Sequence, residues 1–331
     1  MVDVALELNE VTRSYRAPRG FGRGQRLQAV RGVSLTVERG QAVGLVGESG
    51  CGKSTLARLA VGLERPDSGQ VVVGGRELAR AGARGRKGRA AAVQLIPQDV
   101  GAALDPRLTI GASIAEPLLI HRRGNAQQRR DRVAGLLAEV GLDESYAGRY
   151  PHQVSGGQRQ RAVIARALTL EPEVLIADEP VAALDVSVRA QVLSLLLEIR
   201  RRRSLALLLI SHDLAVLRSA TERVDVMYLG RIVESGPTGE VVAAPSHPYT
   251  AALVAAFPEP DPRARVQRVA PRGEVPSPVD LPRGCSFAGR CPFAQQDCQD
   301  VDPGLRATGR TGLVACLHPL PAGPVSAPTA G

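Results

Sequence analysis

A glycine-rich segment at residues 47–54 has the residue types and spacing that bind phosphate groups. It reads Gly-Glu-Ser-Gly-Cys-Gly-Lys-Ser, comes after an apolar run and precedes a helical pattern. Its glycines let successive backbone N–H groups turn towards phosphate oxygens, and the following helix adds its positive N-terminal end. We therefore predict a nucleoside triphosphate site in which Lys53 contacts the β- and γ-phosphates and Ser54 binds Mg²⁺. The other loop residues of this predicted site are Gly47, Ser49, Gly50, Cys51, Gly52 and Thr55.

Two acidic residues, Asp178 and Glu179, directly follow four apolar residues at positions 174–177. This pattern predicts a buried strand that delivers both acids at its carboxyl end, where parallel sheets bind their ligands. Asp178 is expected to hold Mg²⁺ through water. Glu179 is expected to polarise the water that attacks the γ-phosphate.

The elements that must position these residues alternate along the chain. Strand-like runs and helical stretches follow one another, which predicts an α/β fold with a largely parallel sheet. The predicted strands are at 33–37, 41–46, 70–73, 93–96, 174–177, 205–210, 224–228 and 231–234, with helices near 53–63 and 186–201. Residues from about 109 to 170 lack clear strands and are predicted to form a helical insertion. After Gly236 proline becomes frequent, which indicates a linker and a loop-rich tail.

The composition narrows the function classes. The chain has 331 residues, a net charge of +9, 44% hydrophobic and 3% aromatic residues, a globular balance that excludes wholesale disorder. No apolar run approaches the roughly 18 residues that a membrane-spanning helix needs. Residues 1–10 lack a basic region followed by an apolar one, so we expect no secretory signal and a cytoplasmic chain. The arginine clusters are short and are not interleaved with aromatic residues, so no nucleic-acid partner is expected.

A Ser-Gly-Gly-Gln sequence at residues 155–158 opens a helical pattern between the two halves of the predicted site. Its unblocked N–H groups and hydroxyl again suit phosphate. This segment resembles the signature motif of ATP-binding-cassette (ABC) ATPases, and further motifs of that family stand in order. Tyr15 matches the aromatic residue that stacks on adenine, and Gln98 matches the loop glutamine. Ala183-Leu184-Asp185 matches the dimer-contact loop, and His212 matches the switch histidine.

The resemblance implies a P-loop ABC-type nucleotide-binding domain over residues 1–240, with a helical subdomain at about 105–170. It implies a head-to-tail dimer in which each ATP lies between the phosphate loop of one subunit and the signature helix of the other. Ser155, Gly157 and Gln158 would then serve the partner's nucleotide. His212 would contact the γ-phosphate and sense hydrolysis, and Gln98 would join Ser54 and Asp178 around Mg²⁺.

Three further segments, at 149–153, 180–187 and 247–250, look like those of oligopeptide/dipeptide importers. Gln158 and Val181 resemble their F-type ATPase subunit. The resemblance implies a translocase subunit at the cytoplasmic face of the cell membrane that powers import of peptides, nickel chelates or another small solute. Its implied partners are a second ATPase of the D-type, two permeases and an extracytoplasmic substrate-binding protein. A non-transport ABC ATPase of the DNA-repair or translation type is the alternative; the single cassette and short insertion favour the importer.

Four of the five cysteines lie in the tail, which we place at 241–331 as a small loop-rich C-terminal extension. They are Cys285, Cys291, Cys298 and Cys316. A reducing compartment disfavours disulfides, and four thiols suit Zn²⁺ or an iron–sulfur cluster. The gaps of five, six and seventeen residues are wider than the close pairs of zinc ribbons, which favours a cluster. The importer resemblance implies a [4Fe–4S] cluster, with Zn²⁺ as the alternative. Because no catalytic residues surround the tail, we expect its metal centre not to affect the phosphate-loop chemistry.

Overall fold

The computed structural model describes residues 3–17, 25–77, 88, 90–182, 184–256, 270–307 and 312–321. They form two β-sheets that enclose a core, with helices covering the outer face of the larger sheet. No helix in this described part is long and apolar enough to cross a bilayer.

The smaller sheet is antiparallel and comes mainly from the N-terminal part of the chain. Its strands are β1 (Val4–Arg16), β2 (Arg26–Glu38), β4 (Ser68–Val73) and β5 (Arg76–Glu77), in the order β2-β1-β4-β5. Leu6 and Leu8 of β1 are fully buried and pack in one apolar cluster with Leu56 and Leu59. The sequence pattern predicts a largely parallel sheet and no strand at residues 4–16, so this antiparallel layer differs from the expected architecture.

The larger sheet carries the predicted parallel strands. They are β3 (Ala42–Val46), β6 (Val93–Ile96), β7 (Val174–Asp178), β8 (Ala206–Ser211) and β9 (Arg223–Tyr228), and they pair in parallel in the order β9-β3-β8-β7-β6. Every residue of β3, β7 and β8 is buried. Both faces of these strands are covered, which explains their uninterrupted apolar runs. The predicted α/β fold class is confirmed.

Helices flank this sheet and form the segment between β6 and β7. They are α1 (Lys53–Ala60), α2 (Ile110–Ile120), α3 (Ala126–Glu139), α4 (Gly156–Leu168), α5 (Val186–Arg203), α6 (Leu214–Ala220), α7 (Thr238–Ala243) and α8 (Pro248–Ala255). Between residues 105 and 170 the chain forms α2, α3, α4 and short 3₁₀ turns. The helices α2, α3 and α4 begin at N-cap residues whose side chains accept hydrogen bonds from backbone N–H groups of the first turn. These N-cap residues are Thr109, Asn125 and Ser155.

The tail joins the larger sheet. Strand β10 (Arg231–Pro237) pairs antiparallel with β9, and β12 (Leu313–Val314) pairs antiparallel with β10; β11 (Arg306–Ala307) lies outermost. Two 3₁₀ turns, Ala288–Arg290 and Gln296–Gln299, lie in the same region. The tail therefore shares backbone hydrogen bonds with the larger sheet, and the division at residue 240 stays a prediction.

Candidate nucleotide-binding site

The phosphate loop joins β3 to α1. Gly52 precedes the helix with φ +111°, and a Cβ atom there would overlap the carbonyl oxygen of Ala29. A Cβ atom on Gly47 would overlap the carbonyl oxygen of Met227. Both glycines are needed because the loop backbone lies directly against neighbouring strands. This close packing holds the loop's N–H groups in place before any phosphate binds.

Lys53 lies inside the loop rather than in solvent. Its side chain is 5% exposed, and Nζ donates to the carbonyl oxygens of Gly47, at 2.8 Å, and Glu48, at 3.0 Å. An ammonium in this position can exchange these carbonyls for phosphate oxygens without moving far. The buried Cys51 thiol lies 3.8 Å from the same ammonium and fills the loop interior. Ser49 and Gly50 form the exposed tip of the loop, and Ser54 and Thr55 lie in the first turn of α1.

Asp178 ends β7, and its carboxyl lies beside the Ser54 hydroxyl of the phosphate loop. Its side chain is buried, and burial raises the pKa of the carboxyl, while a hydrogen bond with the Ser54 side chain lowers it. Oδ1 has no hydrogen-bond partner among the described residues. A buried, unpaired carboxylate oxygen next to a hydroxyl is the donor set that Mg²⁺ prefers. These residues fit the predicted ion.

Two other predicted site residues, Gln98 and His212, contact Glu179. Its Oε2 accepts a hydrogen bond from Gln98 Nε2 at 3.1 Å and lies 3.2 Å from His212 Nδ1. Glu179 has φ +48°, a left-handed conformation that is costly for a non-glycine residue and is concentrated at functional sites. Its side chain is 14% exposed, whereas His212 is 58% exposed. One side of the Glu179 carboxylate is therefore accessible, and Gln98 and His212 contact it from other directions.

Gln98 reaches Glu179, and none of its hydrogen bonds among the described residues goes to Asp178 or Ser54. Its predicted contact with Mg²⁺ stays a prediction. In this structure the Gln98 amide instead contacts the Glu179 carboxylate.

The signature segment starts α4 and faces solvent. The Ser155 hydroxyl accepts the Gln158 N–H at 3.3 Å, and Gln158 Oε1 accepts the Ser155 N–H at 3.0 Å, so the two residues form a capping box. A Cβ atom on Gly157 would approach Val188 Cγ1 to 2.6 Å, so glycine permits the contact between α4 and α5. Ser155 is exposed, and its hydroxyl and its backbone N–H both bond to Gln158 of the same helix start.

Known proteins match the chain over almost its whole length. Residues 30–182 match the family described as "ABC transporter", and residues 233–298 match "Oligopeptide/dipeptide transporter, C-terminal region". The dipeptide transport ATP-binding protein DppF of Haemophilus influenzae is 43% identical over 298 residues, 90% of this chain and 91% of that protein. The probable peptide ABC transporter ATP-binding protein y4tS of Sinorhizobium fredii is 47% identical over 327 residues, 97% of this chain and 92% of that protein. The chain belongs to the ATP-binding subunits of oligopeptide/dipeptide ABC transporters.

Solved structures agree with this ABC ATPase fold. The ATP-binding cassette MJ0796, determined as a dimer in a post-hydrolysis state with ADP and Pi, has a TM-score of 0.63 and 28% identity. The likeness covers 70% of this chain and 98% of that cassette. The chain is an ABC ATPase, and ATP with Mg²⁺ is the expected nucleotide.

Of two further predicted site residues of this ABC ATPase, Asp185 is exposed and Tyr15 is half-buried. Asp185 precedes α5 and is exposed, and the next residue, Val186, is an apolar side chain that is 81% exposed. Ala183 of the predicted dimer-contact loop lies outside the described residues. Tyr15 is on β1, where the Arg13 guanidinium lies 5.0 Å from its ring centroid and its hydroxyl bonds to Glu64. The adenine-stacking role of Tyr15 stays a prediction.

The four tail cysteines of the ABC ATPase line one pocket, although Cys285 and Cys316 are 31 positions apart in the sequence. Its lining includes Cys285, Cys291, Cys298 and Cys316 together with His247, Phe287 and His318. All four are free thiols, and burial raises the pKa of Cys291 to about 11 and that of Cys316 to about 12.

The spacing of these thiols bears on which metal they suit. Within the described ranges, only Asp297, Cys298 and His318 place three metal-binding donor atoms within 4.8 Å of one another. No three of the four sulfurs meet that limit. A tetrahedral zinc site with Zn–S bonds of about 2.3 Å needs sulfurs roughly 3.8 Å apart. The four thiols are therefore more widely spaced than one zinc ion requires.

The tail contacts the phosphate loop, which the sequence did not predict. The Arg290 guanidinium binds both carboxylate oxygens of Glu48, and the Tyr249 hydroxyl accepts the Glu48 backbone N–H. The only sequence signal for this contact was Glu48 itself, because an acidic residue within a phosphate-binding loop indicates that a cation lies beside it. The partner could not be predicted because 242 residues separate the two side chains.

Proposed function

We propose that this chain is the ATP-hydrolysing subunit of an importer that moves peptides, or a related small solute, through separate permease subunits. The hydrolytic part rests on one observation: Gln98 and His212 both contact Oε2 of Glu179 at the end of β7. The cargo class rests on the tail match and on relatives whose names describe dipeptide and peptide transport.

In this proposal the loop N–H groups and Lys53 hold the triphosphate. Ser54 and Asp178 would hold Mg²⁺, which supplies charge neutralisation at the β- and γ-phosphates. Glu179 accepts the proton of the attacking water. His212 and Gln98 orient that carboxylate, and His212 contacts the γ-phosphate on its exposed side.

The second half of each ATP site would come from another subunit. Ser155, Gly157 and Gln158 would contact the partner's nucleotide, and Asp185 would lie at the contact between subunits. Ser155 and Asp185 are exposed, which supports this role, because a residue that contacts a partner must be accessible at the surface. The partner would be a D-type ATPase, and the dimer would bind two permeases at the cytoplasmic face of the membrane. A substrate-binding protein on the opposite side would deliver the cargo.

The importer proposal predicts uptake that depends on this chain. We expect a complex of the full chain with the proteins encoded by neighbouring genes to take up labelled dipeptides in proteoliposomes when ATP is supplied. Lys53→Ala in this chain should abolish most of the uptake. A chain that copurifies with ribosomes or DNA-repair proteins and hydrolyses ATP without any permease would contradict import.

We also propose that the four tail cysteines hold a [4Fe–4S] cluster, with Zn²⁺ as the alternative. Their common pocket and wide spacing support the larger centre. The cluster would supply cross-links between tail segments, because Cys285, Cys291 and Cys298 come from one loop and Cys316 follows β12. A loop-rich tail with a small core gains most from such a centre.

The cluster proposal predicts iron and inorganic sulfide in protein purified without oxygen. Replacing any one of Cys285, Cys291, Cys298 or Cys316 by Ser should lower both and weaken the broad visible absorbance, since each thiolate supplies one ligand. Cys51→Ser is the matched control and should leave the metal content unchanged, because this buried thiol lies in the phosphate loop. Stoichiometric zinc without iron would establish the zinc alternative, and the absence of both metals would contradict a metal centre.

A further inference from the structure

The phosphate loop carries an acidic side chain that points to the tail. Glu48 follows Gly47, and its carboxylate lies against the Arg290 guanidinium, with Nη1–Oε2 at 2.9 Å and Nη2–Oε1 at 3.1 Å. The pair is bidentate, the geometry in which arginine binds a carboxylate most strongly. The Arg290 side chain is 10% exposed and Glu48 is 29% exposed, so water weakens the pair less than at an open surface.

A second tail residue holds the backbone of the same loop position. The Tyr249 hydroxyl accepts the Glu48 N–H at 2.8 Å. Tyr249 is fully buried, and burial raises the pKa of its hydroxyl, which stays neutral. Glu48 is therefore fixed through both its backbone and its side chain by residues that follow the parallel-sheet core.

An aromatic cluster keeps Arg290 and Tyr249 in place. The rings of Tyr228, Tyr249 and Phe287 contact one another with centroid distances of 4.6, 5.3 and 5.5 Å. The Arg290 guanidinium lies 5.9 Å from the centroids of both Tyr228 and Phe287. Cation–π attraction and close packing leave the guanidinium few alternative positions.

Charge makes the Arg290 contact important for nucleotide binding. A carboxylate in the phosphate loop repels a triphosphate, and the repulsion is strong where water is partly excluded. Arg290 neutralises Glu48 and turns its carboxylate away from the loop interior, where Lys53 lies.

We propose that Arg290 and Tyr249 are positioning residues of the ATP site, which hold the phosphate loop in its binding conformation through Glu48. This inference rests on the proposed ATP binding at residues 47–54 and adds the tail to the residues that control it. The tail thereby acts on nucleotide affinity without touching the nucleotide.

The test measures affinity of the full chain for a non-hydrolysable ATP analogue with Mg²⁺. Arg290→Met should weaken binding about tenfold, within the range found for residues that act through a neighbour, because Glu48 is left unpaired. Adding Glu48→Gln to Arg290→Met should restore part of the lost affinity by removing the unpaired charge. Tyr249→Phe, which loses one hydroxyl, should weaken binding by about threefold and speed hydrogen exchange of the loop amides.

Arg306→Met is the matched control. Arg306 donates to the carbonyl oxygens of Cys316 and Leu317, at 2.8 and 2.9 Å, so this variant disturbs the tail without touching the phosphate loop. Its nucleotide affinity should equal that of the unsubstituted chain. In ATPase assays Arg290→Met should raise KM for ATP more than it lowers kcat.

Three results would overturn the inference: unchanged affinity in a folded Arg290→Met chain, equal loss in Arg306→Met, or no recovery in the Glu48→Gln double variant. If Arg290→Met fails to fold, the Tyr249→Phe variant provides the test. Unchanged nucleotide affinity and unchanged hydrogen exchange of the loop amides in that variant would count against the inference. Failure of the unsubstituted chain to bind the analogue would instead contradict the proposed ATP site itself.

Discussion

Glu179→Gln is expected to bind ATP with Mg²⁺ and to lose hydrolysis by about 10²- to 10⁴-fold. The amide has the size of the carboxylate and can keep a contact with Gln98, but it cannot accept a proton from water. ATP that is bound and not cleaved should then hold two subunits together. Phosphate release in a single turnover and the elution volume with MgATP measure the two effects.

The matched control for this variant is Glu171→Gln. Glu171 is also a glutamate with positive φ, +58°, but it is exposed and pairs with Arg132 outside the site. The Glu171→Gln variant should hydrolyse ATP at the rate of the unsubstituted chain. A Glu179→Gln chain that turns over normally would show that another group accepts the proton.

Lys53→Ala and Ser155→Arg are expected to fail at different steps. Lys53→Ala removes the cation that lies inside the phosphate loop, so the affinity of the single subunit for ATP should fall about 10- to 100-fold. Ser155→Arg should leave that affinity intact and prevent dimer closure, because residue 155 lies on the exposed start of α4. Nucleotide titration of the monomer and ATP-dependent dimerisation separate the two.

The Ser155 substitution also removes a helix cap, at a cost of about 1 kcal/mol in the free energy of unfolding. Asn125→Arg controls for this, since Asn125 caps α3 of the same helical segment with an equivalent capping box. It should lower stability similarly and leave dimerisation unchanged. If Lys53→Ala and Ser155→Arg both lose monomer binding to the same degree, the site is not shared between two subunits.

Local sequence determined the parts of this protein whose chemistry is contained in a few consecutive residues. The phosphate loop could be predicted because its glycines, Lys53 and Ser54 act within eight positions. The strands β3, β7 and β8 were predicted to within a residue or two, because burial on both faces demands continuous apolar runs. The position of Asp178 and Glu179 followed from the end of β7.

Tertiary structure alone decided which distant residues meet. Strand β1 was missed because only residues 6–9 alternate in polarity, and so short an alternation is a weak strand signal. Gln98 and His212 converge on Glu179 only because β6, β7 and β8 are neighbours in the sheet. The contacts between the tail and the rest of the chain were not predicted: β12 extends the larger sheet, and Arg290 binds Glu48. Ion pairs across 242 residues leave no periodic pattern in a sequence, since their spacing is set by the fold that brings the two side chains together.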